Sequence, residues 1–165
     1  MRLYHGSNTA FREVDLSVCR PNKDFGRGFY LSPDREAAER MAHRTVRRFG
    51  GRPYVMAFEF DEARLVDTPV KRFPVPTEEW AMFVMANRRP DAPATDHNRD
   101  NRYGLVVGPV ANDDLALLFR QFALGLVTIE MLVREMRYKR LTVQYSFHTP
   151  AAVSALAFVG ASDVH

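Results

Sequence analysis

Apolar and polar positions change period several times along the chain. Residues 54–60 alternate, with Val55, Ala57 and Glu59 on one side and Met56, Phe58 and Phe60 on the other, the period of a β-strand. Short apolar runs at 3–5, 28–32, 64–66, 103–110 and 142–148 predict further strands. Between them the spacing turns helical. Pro33 at a first helical position after Ser32, with Asp34 and Glu36 in the first turn, opens a helix of about four turns that Gly50 and Gly51 end. Thr77 ahead of Glu78 and Glu79 opens a second. Asn112 with Asp113 and Asp114 starts a third across 115–123, Gly125 stops it, and Thr128 starts a fourth that ends near Arg137. Residues 88–102 are polar, proline-bearing and aperiodic, and read as a long surface loop. Strands and helices interleave irregularly rather than as a βαβα series, which predicts an α+β fold.

Composition narrows this to a single globular domain over 1–165. The chain has 46% hydrophobic and 26% charged residues, so extended disorder is excluded. One cysteine, Cys19, permits no internal disulfide, and the first ten residues lack a charged stretch followed by a long apolar one. Both point to a reducing cytoplasm. The uncharged run 141–162 is long enough to span a bilayer, but Gln144, His148 and Pro150 within it are costly in lipid, so no membrane segment is expected. The net charge is +3, yet 20 of the 23 basic residues are arginine and five of those fall between Arg40 and Arg52. Such a stretch suits either a solvated helix face or an anionic partner.

Three segments could carry chemistry. Tyr4-His5-Gly6-Ser7 places an imidazole at the end of the first strand, with a glycine where a ligand can approach the backbone. Asp24-Phe25-Gly26-Arg27-Gly28-Phe29-Tyr30-Leu31-Ser32-Pro33 is a glycine-spaced turn feeding a strand that closes on an aromatic before a helix. It is neither a dinucleotide-binding loop, because its glycines precede a strand, nor a P-loop, because no Lys-Ser/Thr pair follows. In the third segment Thr142, Gln144, Ser146 and His148 share one strand face, as a cleft wall or a polar outer face would require. The five histidines form no HxH or HExxH pattern and Cys19 has no second thiol, so no metal is expected.

In this order and spacing, the three segments resemble the H-Y-[E/D/Q] signature of PARP-like and diphtheria-toxin-like ADP-ribosyltransferases. More closely, YHGS, DFGRGFYLS, VVGPVANDD and QYSFHT resemble a family of short bacterial proteins of that superfamily, long of unknown function, several of which are similar to toxins encoded beside a small antitoxin. The resemblance implies a split β-sandwich core with flanking helices, NAD as co-substrate, a macromolecular acceptor of protein or nucleic acid, and a small antitoxin protein as partner. It implies that His5 hydrogen-bonds the adenosine ribose, that the Gly6 backbone grips the nicotinamide amide with Ser7 beside it, that Tyr30 stacks on the nicotinamide ring, and that Gln144 contacts the nicotinamide-ribose hydroxyl. Gly28 belongs to the same pocket. Met41 stands where such enzymes place a second aromatic, and Ala38 where they offer a serine hydroxyl. Asn112 or Asp113 would face the acceptor or simply cap a helix.

The function implied is mono-ADP-ribosyl transfer from NAD with release of nicotinamide. Breaking the nicotinamide–ribose bond develops oxocarbenium character, which asks for an oriented leaving group and excluded water more than for a strong nucleophile. Gln144 can orient and accept a hydrogen bond but supplies no charge and no base, so slow transfer without chain elongation is expected. An NAD glycohydrolase and a catalytically silent NAD-binding or ADP-ribose-binding module are the alternatives.

Overall fold

The computed structural model describes residues 1–89, 91, 96–110, 113–137 and 141–165, with the backbone alone for 113–116. Among the described residues, seven strands form two sheets. One has the order β1 (Arg2–Ser7), β3 (Tyr54–Phe60), β7 (Leu156–Asp163), all antiparallel. The other has the order β2 (Phe29–Leu31), β6 (Thr142–Phe147), β5 (Leu105–Val110), β4 (Val70–Arg72), antiparallel except for the β4–β5 pair. The fold is α+β, as the irregular interleaving predicts.

The period-2 pattern sorts side chains into two layers of core. Leu3, Met56, Phe58 and Phe60 from the first sheet meet Phe29, Leu31, Leu105, Val107 and Phe147 from the second in one buried cluster. Val106, on the opposite face of β5, joins a second cluster with Phe25, Phe73, Trp80, Phe83, Leu132 and Met136, contributed largely by α2 (Glu78–Arg88) and α4 (Ile129–Arg137). β5 is thus covered on both sides, which is why its sequence reads as an unbroken apolar run.

Helix α1 (Arg35–Phe49) lies on β1. Ala38 and Ala42 are its buried positions, and their small side chains let the helix approach closely. At Gly6 a Cβ would come 1.8 Å from the Ala38 carbonyl oxygen, so the glycine is what permits this contact. The helix begins two residues later than the sequence suggests. Asp34 is the N-cap, accepting from the Glu36 N–H at 2.9 Å, and Pro33 precedes it outside the helix. Gly50, with φ +76°, ends it as expected. Thr77 caps α2, and the Met131 N–H donates to the Thr128 hydroxyl at the start of α4. Asn112, read as the cap of α3 (Asp113–Ala123), lies outside the described residues.

Three expectations need correction. Residues 64–66 form no strand: a 3-10 turn at Glu62–Arg64, capped by the Asp61 side chain, occupies that place, and Asp67 at φ +50° turns the chain into β4. β7 and the short helix α5 (Pro150–Val153) were hidden in the uncharged run 141–162, where small residues blur the strand period. Residues 88–102 are not wholly a surface loop. Asn98 is fully buried, exchanging bonds with the Tyr103 backbone at 2.9 and 3.1 Å and donating its N–H to Asn87 Oδ1 at 2.7 Å. Among the described residues, no helix is long and apolar enough to cross a membrane.

Candidate active site

The two sheets touch where β1 passes the end of β2. The Tyr4 N–H donates to the Ser32 carbonyl and the Ser32 N–H to the Tyr4 carbonyl, both at 2.8 Å, on the side of β1 away from β3. Backbone groups alternate along a strand, so Gly6, two residues on, directs its N–H and C=O along that same edge. The chain diverges from β2 there. The edge at Gly6 is therefore a short stretch of unpaired strand, backed by Ala38 and Ala42 of α1.

His5 points to the other face of β1, with its ring centroid 4.6 Å from that of Phe29 and 5.6 Å from that of Phe11. Its Nδ1 lies 2.7 Å from the Tyr30 carbonyl, which only accepts, so Nδ1 carries the hydrogen and Nε2 the lone pair. Burial, reinforced by the charge of Lys23 and opposed by the bond to Tyr30, holds the pKa down at about 4. The ring is neutral near pH 7. Nε2 has no partner among the described residues and remains a free acceptor.

Tyr30 faces the helix side of β2. Its hydroxyl closes the preceding turn, donating to the Gly26 carbonyl at 2.8 Å and accepting from the Phe25 N–H at 3.0 Å. Phe25 is nearly parallel to the Tyr30 ring, 12° apart with centroids at 6.2 Å, and Lys23 Nζ is 5.8 Å from that ring's centroid. The turn is in turn fixed to α2: Arg88 pairs with Asp24 at 2.6 Å, and Asn87 donates to the Asp24 carbonyl at 3.3 Å. Gly26, at φ +93°, packs on the Asn98 carbonyl, where a Cβ would come within 2.7 Å. Phe25, Asn87, Arg88 and Asn98 were not legible as parts of this site. Only the aromatic directly before the glycine turn hinted at the first.

Tyr30 stands opposite Ser146 on β6, so Gln144, two residues along the same face, is its diagonal neighbour, at about 7–8 Å between backbones. Gln144 is half-buried, and its amide has no partner among the described residues. The position across from it on β5 is Gly108, where the space of a side chain is taken by Phe73 and Phe25. His148 and Ser146 on this face are buried and form an internal network rather than a cleft wall. His148 Nδ1 donates to the Arg27 carbonyl at 2.7 Å, and its Nε2 is 2.8 Å from Ser146 Oγ, which is itself 3.0 Å from the Val106 carbonyl. Burial also holds the His148 pKa down at about 4. Gly28 makes room for this ring, since a Cβ there would lie 2.5 Å from His148 Nδ1.

The structure thus gathers His5, Gly6, Tyr30 and Gln144 around the short strand β2, with His5 and Tyr30 on opposite faces joined through the Tyr30 carbonyl. Ser7 sits at the mouth and accepts from the Thr9 N–H at 3.3 Å. Met41 is 37% exposed on α1, one helical step from the Ala38–Ala42 face. Asn112 and the side chain of Asp113, the acceptor-facing candidates, lie outside the described residues.

A family model described as "Protein of unknown function (DUF3990)" matches residues 1–158. No curated protein and no solved structure matches the chain.

Proposed function

The match over nearly its whole length makes this chain a member of the DUF3990 family, and we propose that it is a mono-ADP-ribosyltransferase. It cleaves NAD, releases nicotinamide and passes ADP-ribose to a macromolecular acceptor, as a bacterial toxin held in check by a small antitoxin protein. One observation carries this proposal: residues from three segments far apart in sequence converge on β2 and leave free three groups that a dinucleotide would use. These are His5 Nε2, the backbone edge of Gly6 and the Gln144 amide.

Each free group suits a part of NAD. A neutral imidazole with an open lone pair accepts from a ribose hydroxyl; an imidazolium would not, and the low pKa of His5 keeps it neutral through the physiological range. An unpaired strand edge offers one N–H and one C=O to a carboxamide, the two bonds a nicotinamide amide makes. Tyr30 is a rigid aromatic whose hydroxyl is already spent on the turn, so its ring orientation is fixed before any ligand arrives. Lys23 sets a cation near both His5 and Tyr30, where it complements the diphosphate.

In the reaction the bond between nicotinamide nitrogen and ribose carbon breaks, and its electron pair leaves with nicotinamide. The acceptor nucleophile bonds to that carbon and loses its proton to solvent. Gln144 orients the ribose but adds no negative charge to the oxocarbenium-like transition state, so turnover is slow.

The experiment is nicotinamide release from NAD labelled in its adenylate half, with and without cell lysate. Parent protein releases nicotinamide and leaves label in a macromolecular fraction, Gln144→Ala loses at least about tenfold in rate, and Gln144→Glu gains. Release without label transfer would identify a glycohydrolase. Ala38, a buried methyl beside Gly6 where a hydroxyl would strengthen the grip on nicotinamide, favours a silent binder, and NAD protecting the fold against heat without any release would establish that instead.

A further inference from the structure

Arg35 and Arg40 at the start of α1 differ from Arg47 and Arg48 at its end. The first two are neutralised: Arg35 pairs with Glu39 at 2.9 Å, and Arg40 approaches Asp34 and Glu36 at 3.5 and 3.7 Å. In the last turn and just beyond it, Arg47, Arg48 and Arg52 are exposed and have no ion pair among the described residues. Arg20, from the segment after β1, joins them. Its guanidinium lies 4.3 Å from the centroid of the Phe49 ring, that of Arg48 lies 5.1 Å from it, and Phe49 itself is 50% exposed. Asn8 ties this patch to the end of β1, donating to the Gly50 carbonyl at 2.9 Å and accepting from the Arg52 N–H at 3.1 Å. It therefore adjoins the open edge at Gly6.

Arginines in a last helical turn complement the negative end of the helix, which accounts for Arg47 and Arg48. It does not account for Arg20 and Arg52, nor for a large aromatic left in water with two guanidiniums against it. We infer that this patch binds single-stranded nucleic acid. Arg47 and Arg52 meet phosphates, and bases stack on the exposed platform of Arg20, Phe49 and Arg48, the pairing of cationic and aromatic surface that single strands require. An acidic polypeptide would satisfy the charges and leave the platform unused. Single-stranded nucleic acid would then be the acceptor class for ADP-ribose, a consequence that rests on the transferase proposal, whereas the binding does not.

The test is fluorescence anisotropy of the full chain with a short labelled single-stranded RNA, titrated at several salt concentrations. Replacing Arg47 and Arg52 by Gln lowers the slope of log affinity against log salt by about 1.4, at about 0.7 for each lost phosphate contact. Phe49→Leu weakens binding about fivefold or more at constant charge. His5→Ala binds RNA as the parent does, so failure of the NAD chemistry leaves the binding result intact. Equal affinity in the arginine double variant would overturn the inference. So would duplex RNA or polyglutamate binding as tightly as the single strand, because the platform would then have no part in it.

Discussion

His5 and His148 stand at the ends of strands on either side of β2, and their environments are nearly matched. Each directs Nδ1 to a backbone carbonyl at 2.7 Å, of Tyr30 and of Arg27, and each is held neutral with a pKa of about 4 by burial. Each also has a glycine whose missing side chain matters: Gly6 follows His5 and gives α1 its approach, and Gly28 makes room for the His148 ring. The two differ at the second nitrogen. In His148 it meets Ser146 inside a closed network, whereas in His5 it has no partner among the described residues. A histidine with both nitrogens committed to the protein holds a turn in place; one with a spare lone pair can serve a ligand.

The largest separation between the two lies in stability. His148→Leu leaves the Arg27 carbonyl without its donor and Ser146 with half its network in a buried site, costing about 3 kcal/mol. His5→Leu loses one bond to Tyr30 but keeps an apolar side chain against Phe29 and Phe11, costing about 1 kcal/mol, and on the transferase proposal it should abolish nicotinamide release. Chemical denaturation of both variants gives the numbers. A larger loss from the His5 variant would reverse the assignment of roles.

Acid titration is the next discriminator. Both rings stay neutral in the fold, while in the unfolded chain they take up protons near the ordinary pKa of 6.5. The unfolded state therefore binds more protons between pH 6.5 and about 4, and stability falls as pH drops through that window. Each histidine contributes at most about 1.4 kcal/mol per pH unit, so His148→Leu should lower the slope of denaturation free energy against pH by up to that amount between about pH 6 and 5. An unchanged slope would mean that His148 is not buried neutral.

What the residues disclosed in advance follows from the same contrast. The strand alternation at 54–60, the glycine stop at Gly50 and the threonine cap at Thr77 are local chemistry and could be read from the chain. So could the shared face of Gln144, Ser146 and His148. Which members of that face reach solvent was not legible, because it depends on partners from elsewhere: the Arg27 carbonyl closes over His148, and Val106 lies beside Ser146. Likewise nothing near Asn98 announces burial, since its partners are Asn87 on α2 and Tyr103 at the entry to β5. The strand expected at 64–66 failed because Asp61 caps a turn there, a side-chain bond that competes with a ladder.

The smallest expected effect is the most specific. With Nδ1–H fixed by a carbonyl in both rings, both histidines should show the Nδ1–H tautomer in nitrogen-15 spectra near neutral pH, each with one pyridine-like nitrogen at Nε2. If the proposed NAD site is right, adding NAD should give the His5 nitrogen a new donor, the ribose hydroxyl, and shift its resonance by an amount resolvable without any change in stability. The His148 nitrogen is already opposite Ser146 and should stay where it is. A shift at His148 alone would confine the ligand to the Tyr30 face of β2 and take it off His5. With neither resonance responding while NAD still protected the fold, the lone pair of His5 would have no part in holding the dinucleotide, and the grip would rest on Gly6 and Tyr30.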